Sequence, residues 1–221
     1  MVQGSVISTD AGQLTAVHVG RPTSRVTPEG KSWRSAFVKQ PTAGPVWLDW
    51  ENLAENQQAD LGVHRGPDMA VLGYSADHYP LWRAELDLAE LGPGGFGENF
   101  TIAGQDEHSV CLGDVYELGE AIVQVSQSRG PCFKISRRWN RPDLSAESST
   151  PAGTAGISGC CSLGWWRLDD RPYPRWTVRR AADTLQLRKR DPAAARALLE
   201  CEVLGAGGRR DLAEPLLRSV P

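Results

Sequence analysis

The stretch DVYELGEAIVQVSQ, residues 114–127, sets two β-prone runs on either side of Gly119-Glu120. A two-residue connection carrying glycine between alternating runs is a hairpin pattern, because only a tight turn with positive φ matches the twist of paired strands. Outward from it the same period recurs. QLTAVHVG (13–20) alternates Leu14, Ala16 and His18 with Thr15, Val17 and Val19, and GPVWLDW (44–50) alternates Val46, Leu48 and Trp50. DMAVLGY (68–74) is short and apolar on both faces, as a buried strand is, and GPGGFGENFTIAG (92–104) and CCSLGWWRL (160–168) add two further strand-like runs. Over this region helical pattern is confined to SADHYPLWRAEL (75–86), with Ser75 as cap and Pro80 in the tolerated first turn.

After RPYPRW (171–176) the period changes from two to about 3.6. TVRRAADTLQLRKR starts with Thr177 as a cap, DPAAARALLE with Asp191 as cap and Pro192 at the first helical position, and RDLAEPLLRSV is a third, weaker helix. The expectation is a mainly β domain over residues 1–172 and a three-helix extension over 173–221. The chain has 221 residues, 23 of them Gly and 15 Pro, which allows a sizeable core but few long helices before the extension.

The net charge is −3, and it is unevenly spread: 13 Lys+Arg against 21 Asp+Glu up to residue 170, then 11 against 6. Arginines spaced along short helices read as a solvated face rather than as a nucleic-acid surface. No run of 18 apolar residues exists and the first residues lack the basic-then-apolar order of a signal peptide, so a cytoplasmic protein without membrane contact is expected. Cys111, Cys132, Cys160, Cys161 and Cys201 show no CxxC spacing, which indicates reduced thiols rather than a disulfide framework or zinc site. Cys111 and Cys201 read as core, and adjacent Cys160 and Cys161 point to opposite faces if they lie in a strand. The tryptophans, Trp47 and Trp50 among them, read as core or interface packing, with one able to flank a planar purine, and His78 and His108 read as surface residues.

Chemistry concentrates in SQSRGPCFK, residues 126–134. From Ala121 to Pro142 the acidic body reverses sign: Arg129, Lys134, Arg137, Arg138 and Arg141 stand without a single Asp or Glu. Cations favour a thiolate, the form that acts as nucleophile and soft-metal ligand. From the residues alone Cys132 reads either as that or as a small apolar residue at a strand end. Two other segments offer ligand chemistry, QADLGVHRGPD (58–68) with His64 and Arg65 in a Gly-Pro turn, and GFGENF (95–100), where glycines permit close backbone approach beside Glu98 and Asn99.

Taken in order, KQP (39–41), QADLGVHRGPD, GFGENF, GD (113–114) and QVSQSRGPCFK (124–134) resemble the MOSC domain, in its bacterial branch with a short three-helix C-terminal extension. The resemblance covers residues 10–170 as a β-barrel and 175–221 as the extension. It implies binding of the molybdenum cofactor (molybdopterin), with Cys132 giving sulfur to molybdenum, and a detoxifying reduction of N-hydroxylated bases such as 6-N-hydroxylaminopurine to amines, independent of pyridoxal phosphate. Lys39, His64, Asn99, Gln127 and Arg129 fall on motif positions implied to contact cofactor or substrate. Glu98 falls on one that either moves protons or is a buried structural carboxylate. With no flavin or iron–sulfur motif visible, an external electron-donating reductase is implied as partner, and a homodimer is compatible. Other readings of the same cysteine are a persulfide sulfur carrier and a non-catalytic delivery module. Three positions depart from the pattern: Arg65 replaces a glycine, Glu55-Asn56 a Gly-Asp pair, and Cys160-Cys161 an aromatic pair.

Overall fold

The structure, a computed structural model, describes residues 12–62, 64–130, 132–144, 160–164 and 176–217. Its nine strands are β1 (Gln13–Val19), β2 (Thr23–Val26), β3 (Ser32–Ser35), β4 (Gln40–Pro41), β5 (Val71–Ser75), β6 (Phe100–Ala103), β7 (Val115–Leu118), β8 (Ala121–Arg129) and β9 (Cys160–Gly164). The helices are α1 (Tyr79–Leu86), α2 (Phe133–Trp139), α3 (Val178–Leu187), α4 (Pro192–Leu199) and α5 (Ala206–Leu217).

Seven strands form one mixed sheet in the order β4-β1-β6-β5-β9-β8-β7, and β2-β3 form a separate hairpin. The expected turn is present: β7 and β8 pair antiparallel from Val115↔Gln124 to Leu118↔Ala121, and Gly119 takes φ 67. β5 and β6 are the one parallel pair among the described strands, and α1 lies on the crossover that a parallel connection needs. The hydrogen-bonded order ends at β4 and β7, so among the described residues the ladder is an open sheet and does not close into the expected barrel.

One large apolar cluster joins the sheet to the C-terminal helices. Phe100, Val123 and Val125 share it with Trp176, Val178, Ala181, Leu198 and Leu212, all under 4% exposed. The extension is distinct in secondary structure, yet it buries its apolar face in the same core as the sheet. Its caps are those read from sequence: Thr177 accepts from the Arg180 amide and Asp191 from the Ala194 amide, while the last helix begins earlier than expected, at Ala206. A second, aromatic cluster of Tyr74, Tyr79, Trp82 and Phe96 fastens α1 to the sheet, with Ile135 of α2 against it.

Three sequence expectations are corrected. Residues 44–50 form no strand, only isolated bridges, one of which joins Leu48 to Leu53, and Trp47 and Trp50 are 60% and 64% exposed rather than in the core. Helix α2 was not expected, since its seven residues carry neither a capping side chain nor a long apolar period. His78 is no surface residue, because its Nε2 lies 2.7 Å from the buried Glu107 carboxylate, a bond that raises the pKa of the imidazole. Cys111 and Cys201 are core residues as expected. Among the described residues no helix is long and apolar enough to cross a membrane.

Candidate functional site

Strand β8 is nine residues long and nearly all buried, so it delivers its last residue, Arg129, to a fixed place at the sheet's end. The chain then turns through Gly130, and Cys132 stands at the start of α2 in extended backbone (φ −127, ψ 158) with its side chain making no cap bond. Three anchors hold α2 there. Arg138 Nη1 donates to the Gly94 carbonyl at 2.5 Å, Trp139 Nε1 to Gly95 at 3.0 Å, and Arg141 Nη1 to Leu86 at 2.7 Å. The position of Cys132 is thereby tied to the glycine-rich loop.

In front of Cys132 lies a cavity of about 100 Å³, open to solvent and lined by Phe37, Lys39, Asn56, Gln57, Gln58, His64, Met69, Leu72, Asn99, Arg129, Cys132 and Lys134 among others. Segments far apart in sequence meet here: 37–39, 56–64 and 129–134. Among its described lining residues are three cations, Lys39, Arg129 and Lys134, and no Asp or Glu. Such a wall attracts anions and offers them charge-assisted hydrogen bonds. A second cavity, about 50 Å³, sits in the main core between Leu14, Val123, Val125 and Val178. It touches none of these groups, and its buried carboxylate, Glu107, is already taken by His78, so the first cavity is the candidate site.

Lys39 is held by Asn56, whose Oδ1 accepts from Lys39 Nζ at 2.8 Å and from the Gly20 amide at 3.0 Å. Burial of the ammonium, opposed by Glu98 and reinforced by Arg129, pushes the pKa of Lys39 down to about 8. The departure from the Gly-Asp pattern is thus built in two parts. Glu55 itself takes the left-handed φ of 65 that a glycine would adopt freely, and Asn56 gives Lys39 a neutral acceptor instead of a counter-charge. His64 faces Arg129, with Nη2 3.0 Å from Nδ1 and 3.2 Å from Nε2. A guanidinium only donates, so the ring must offer a lone pair. Burial, then Arg129 and Lys134, push the pKa of His64 down to about 4 and keep it neutral near pH 7.

These titrations give an expected result. Lys39 carries its charge below about pH 8 and loses it above. Sulfate, whose charge is constant over this range, titrated calorimetrically, should therefore bind about tenfold more weakly at pH 9.5 than at pH 7, the worth of one charge-assisted bond. In Asn56→Asp the added carboxylate keeps Lys39 protonated and that alkaline decline should flatten. A pH-independent affinity in the unaltered protein would place Lys39 outside the anion's reach.

Other residues singled out in the sequence lie beside the cavity and turn their polar ends elsewhere. Asn99 lines it, but its Oδ1 accepts from the Leu72 amide and its Nδ2 donates to the His18 carbonyl, which laces β1 to β5. Gln127 is 4% exposed, and its Oε1 accepts from the Gly208 amide at the start of α5. Asp68, on the turn before β5, holds the same helix end: its Oδ2 accepts from the Ala206 amide. Gly207 allows close packing there: a Cβ would stand 2.8 Å from Met69 Cε and 3.0 Å from Gln127 Oε1, so those side-chain ends would have to shift. Glu98 is fully buried behind the cavity wall. Its Oε1 accepts from the Tyr79 hydroxyl, the Gly94 amide (2.6 Å) and Thr101 Oγ1 (3.0 Å), and its Oε2 from the Phe96 amide (3.1 Å). Arg65 points outward to Glu51 at 3.4 Å, both half or more exposed, so the side chain that replaces a glycine is accommodated on the surface. Cys160-Cys161 belong to β9, and their side chains lie outside the described residues, as do Trp165 and Trp166. Asn56 and Asp68 stand in segments the sequence already singles out, but neither carries a local pattern that announces a partner so distant in sequence.

The same region is what comparison with known proteins picks out. A family model described as MOSC domain matches residues 60–166. The uncharacterized protein YflK of Bacillus subtilis (strain 168) is 43% identical over 131 residues, 59% of this chain and 58% of that protein. A protein named Reductase from Gibberella moniliformis is 32% identical over 223 residues, covering 95% of this chain but 38% of its own length. The chain thus spans well under two thirds of either relative. The crystal structure of YiiM from Geobacillus stearothermophilus superposes with a TM-score of 0.69 at 26% identity, covering 93% of this chain and 99% of that one. His64, Asn99, Arg129, Cys132 and Lys134 all fall inside the matched segment, and the chain belongs to the MOSC family.

Proposed function

We propose that this protein is an oxidoreductase that holds the molybdenum cofactor in the cavity before Cys132 and reduces N-hydroxylated bases to amines. The observation that carries the reading is the donor set. A soft sulfur ligand stands in one cavity with three cations, and the described lining contains no carboxylate to repel a phosphorylated pterin. In this reading Cys132 binds the metal, and Lys39, Arg129 and Lys134 hold the anionic part. Neutral His64 keeps the Arg129 guanidinium in place, with both ring nitrogens within 3.2 Å of its Nη2. Asn99 and Gln127 support the site through the β1–β5 lacing and the α5 contact described above, and Glu98 acts through the loop it anchors. The bound metal would supply the two-electron couple. The overall change consumes two electrons and two protons, breaks the N–O bond, and yields the amine and one water. The electrons come from outside the chain, which makes an electron-donating protein its partner. The relative named Reductase supports the activity class, and the family's description supports the cofactor.

The test uses the full chain, expressed in a host that makes the cofactor. Molybdenum near one atom per chain is expected, together with reduction of 6-N-hydroxylaminopurine by reduced methyl viologen. Absence of molybdenum would sink the reading. Metal without turnover would turn it toward delivery of cofactor, and cyanide-labile sulfur on Cys132 toward sulfur transfer.

A further inference from the structure

Positive charge in the acidic body is concentrated in two places. Of the 13 lysines and arginines up to residue 170, ten fall in the short segments 21–39 and 129–141, in which Glu29 is the one acid. Across the rest of that body three cations face 20 acids. Three of the ten, Lys39, Arg129 and Lys134, line the cavity and are already assigned to the cofactor's anion. Arg138 and Arg141 are taken by the carbonyls of Gly94 and Leu86. Arg21, Arg25, Lys31, Arg34 and Arg137 remain, and all five are exposed. Lys31 feels Glu29 at the hairpin's tip, whereas none of the four arginines is in an ion pair among the described residues.

The β2–β3 hairpin carries Arg25 and Arg34 and is rooted in the cavity wall. Gly20, just before it, donates its amide to Asn56 Oδ1 at 3.0 Å, and Ser35, Ala36 and Phe37, at its end, line the cavity. β2 is exposed along its whole length and β3 buries only Trp33 and Ser35, so the ribbon beyond its root faces solvent. Pairing sets Ser35 opposite Thr23, Arg34 opposite Ser24 and Trp33 opposite Arg25. At the rise of a strand, Arg34 and Arg25 stand about 3.4 and about 7 Å along the ribbon from the lining Ser35. Helix α2 abuts the same root, with the Arg138 guanidinium 5.9 Å from the Phe37 ring centroid. Burial and then the nearby Arg25 lower the pKa of Arg138, against the pull of Glu98.

We infer that the substrate enters as a nucleotide, its hydroxylated base in the cavity and its 5′-phosphates along the ribbon on Arg34 and Arg25. The inference rests on the reductase reading and names the form in which the base arrives. A guanidinium matches phosphate as a planar, two-pronged donor. A polynucleotide fits less well, because it continues past the base in both directions, and the turn leading into the lining Asn56 carries exposed Asp49, Glu51 and Glu55. A nucleotide ends in its phosphates and needs one basic border only. The phosphates take no part in breaking the N–O bond, so their contacts hold ground state and transition state alike and lower KM.

The experiment gives the loaded, full-length protein reduced methyl viologen and one of three substrates: hydroxylaminopurine, its riboside, or the riboside 5′-triphosphate. kcat/KM for the triphosphate should exceed that for the riboside at least about tenfold, through KM, and the advantage should shrink as salt is raised. Arg25→Ser/Arg34→Ser should lose at least about tenfold on the triphosphate and stay within about twofold on the base and the riboside, as a surface change does. Arg25→Lys/Arg34→Lys, which keeps the charges without the planar fork, should restore the greater part of the loss. Calorimetry with ATP and adenosine follows binding apart from turnover and should show the same preference, removed in the serine variant. A riboside used as well as the triphosphate, equal loss on all three substrates, or loss on none overturns the inference. So does a short single-stranded oligonucleotide bound at least about tenfold more tightly than ATP, which would make the ribbon a nucleic-acid surface. If viologen drives reduction of none of the three in the unaltered protein, the reductase reading fails, and the ATP and adenosine titrations still decide what the ribbon holds.

Discussion

Cys132→Ala should lose at least about a hundredfold in retained molybdenum and in hydroxylaminopurine reduction, beyond what removal of a residue supporting a ligand costs, while the melting temperature hardly moves. The expectation joins two facts. Cys132 is the sulfur on the cavity wall, and nothing structural depends on its side chain: it is only partly buried and makes no cap bond to α2. Helix position is set instead by Arg138, Trp139 and Arg141, which the substitution leaves alone. Metal analysis, turnover with a viologen donor and a thermal melt on the same preparation check it. Full metal content in the variant would remove Cys132 from the coordination shell, and a melt lowered by many degrees would make the loss uninterpretable as a ligand effect.

Glu98→Ala should do the opposite, costing about 3–5 kcal/mol of folding free energy, because it strands several buried donors at about 1–3 kcal/mol each with partial relaxation. Tyr79, Gly94, Phe96 and Thr101 all donate to this one carboxylate, and the residue is wholly excluded from water. Against a typical domain stability of about 5–15 kcal/mol, that is about a fifth of the total at the least. Urea denaturation would show it as a lowered midpoint at similar slope. Glu98→Gln separates anchoring from proton transfer. As an anchor, Glu98 tolerates the amide only at reduced stability, since one oxygen gives way to a donor facing other donors. As a proton carrier, it would lose turnover with stability kept.

How much of this was legible beforehand depends on how local each determinant is. The β7–β8 turn, the Ser75, Thr177 and Asp191 caps and the buried β5 were readable because a few neighbouring residues fix each of them. The association of His64, Arg129 and Cys132 was readable from motif order. Where Gln127 points was not. The register of β8 shifts between Val125 and Gln127, and after such an irregularity simple alternation no longer says which face a side chain takes. The run around Trp47 misled for another reason. Four hydrophobic positions in seven residues look like a strand, yet Pro45 and the Asp49–Asn52 turn leave the segment isolated bridges rather than a ladder. Asn56 looked like a lost acid at a turn, and only its 2.8 Å contact with Lys39 shows that it holds the ammonium lining the cavity.

The hold of Gln127 and Asp68 on the Gly205–Gly208 segment also orders events in time. Synthesis runs from the N-terminus, so β8, Cys132 and the loop bearing His64 all emerge before the helix start that braces Met69 and Gln127 has been made. The receiving cavity is then finished only once the Gly205–Gly208 segment has been made. A group bound there would enter after that point, and a messenger truncated before Gly205 would yield a product that folds its sheet but presents an unbraced receptacle.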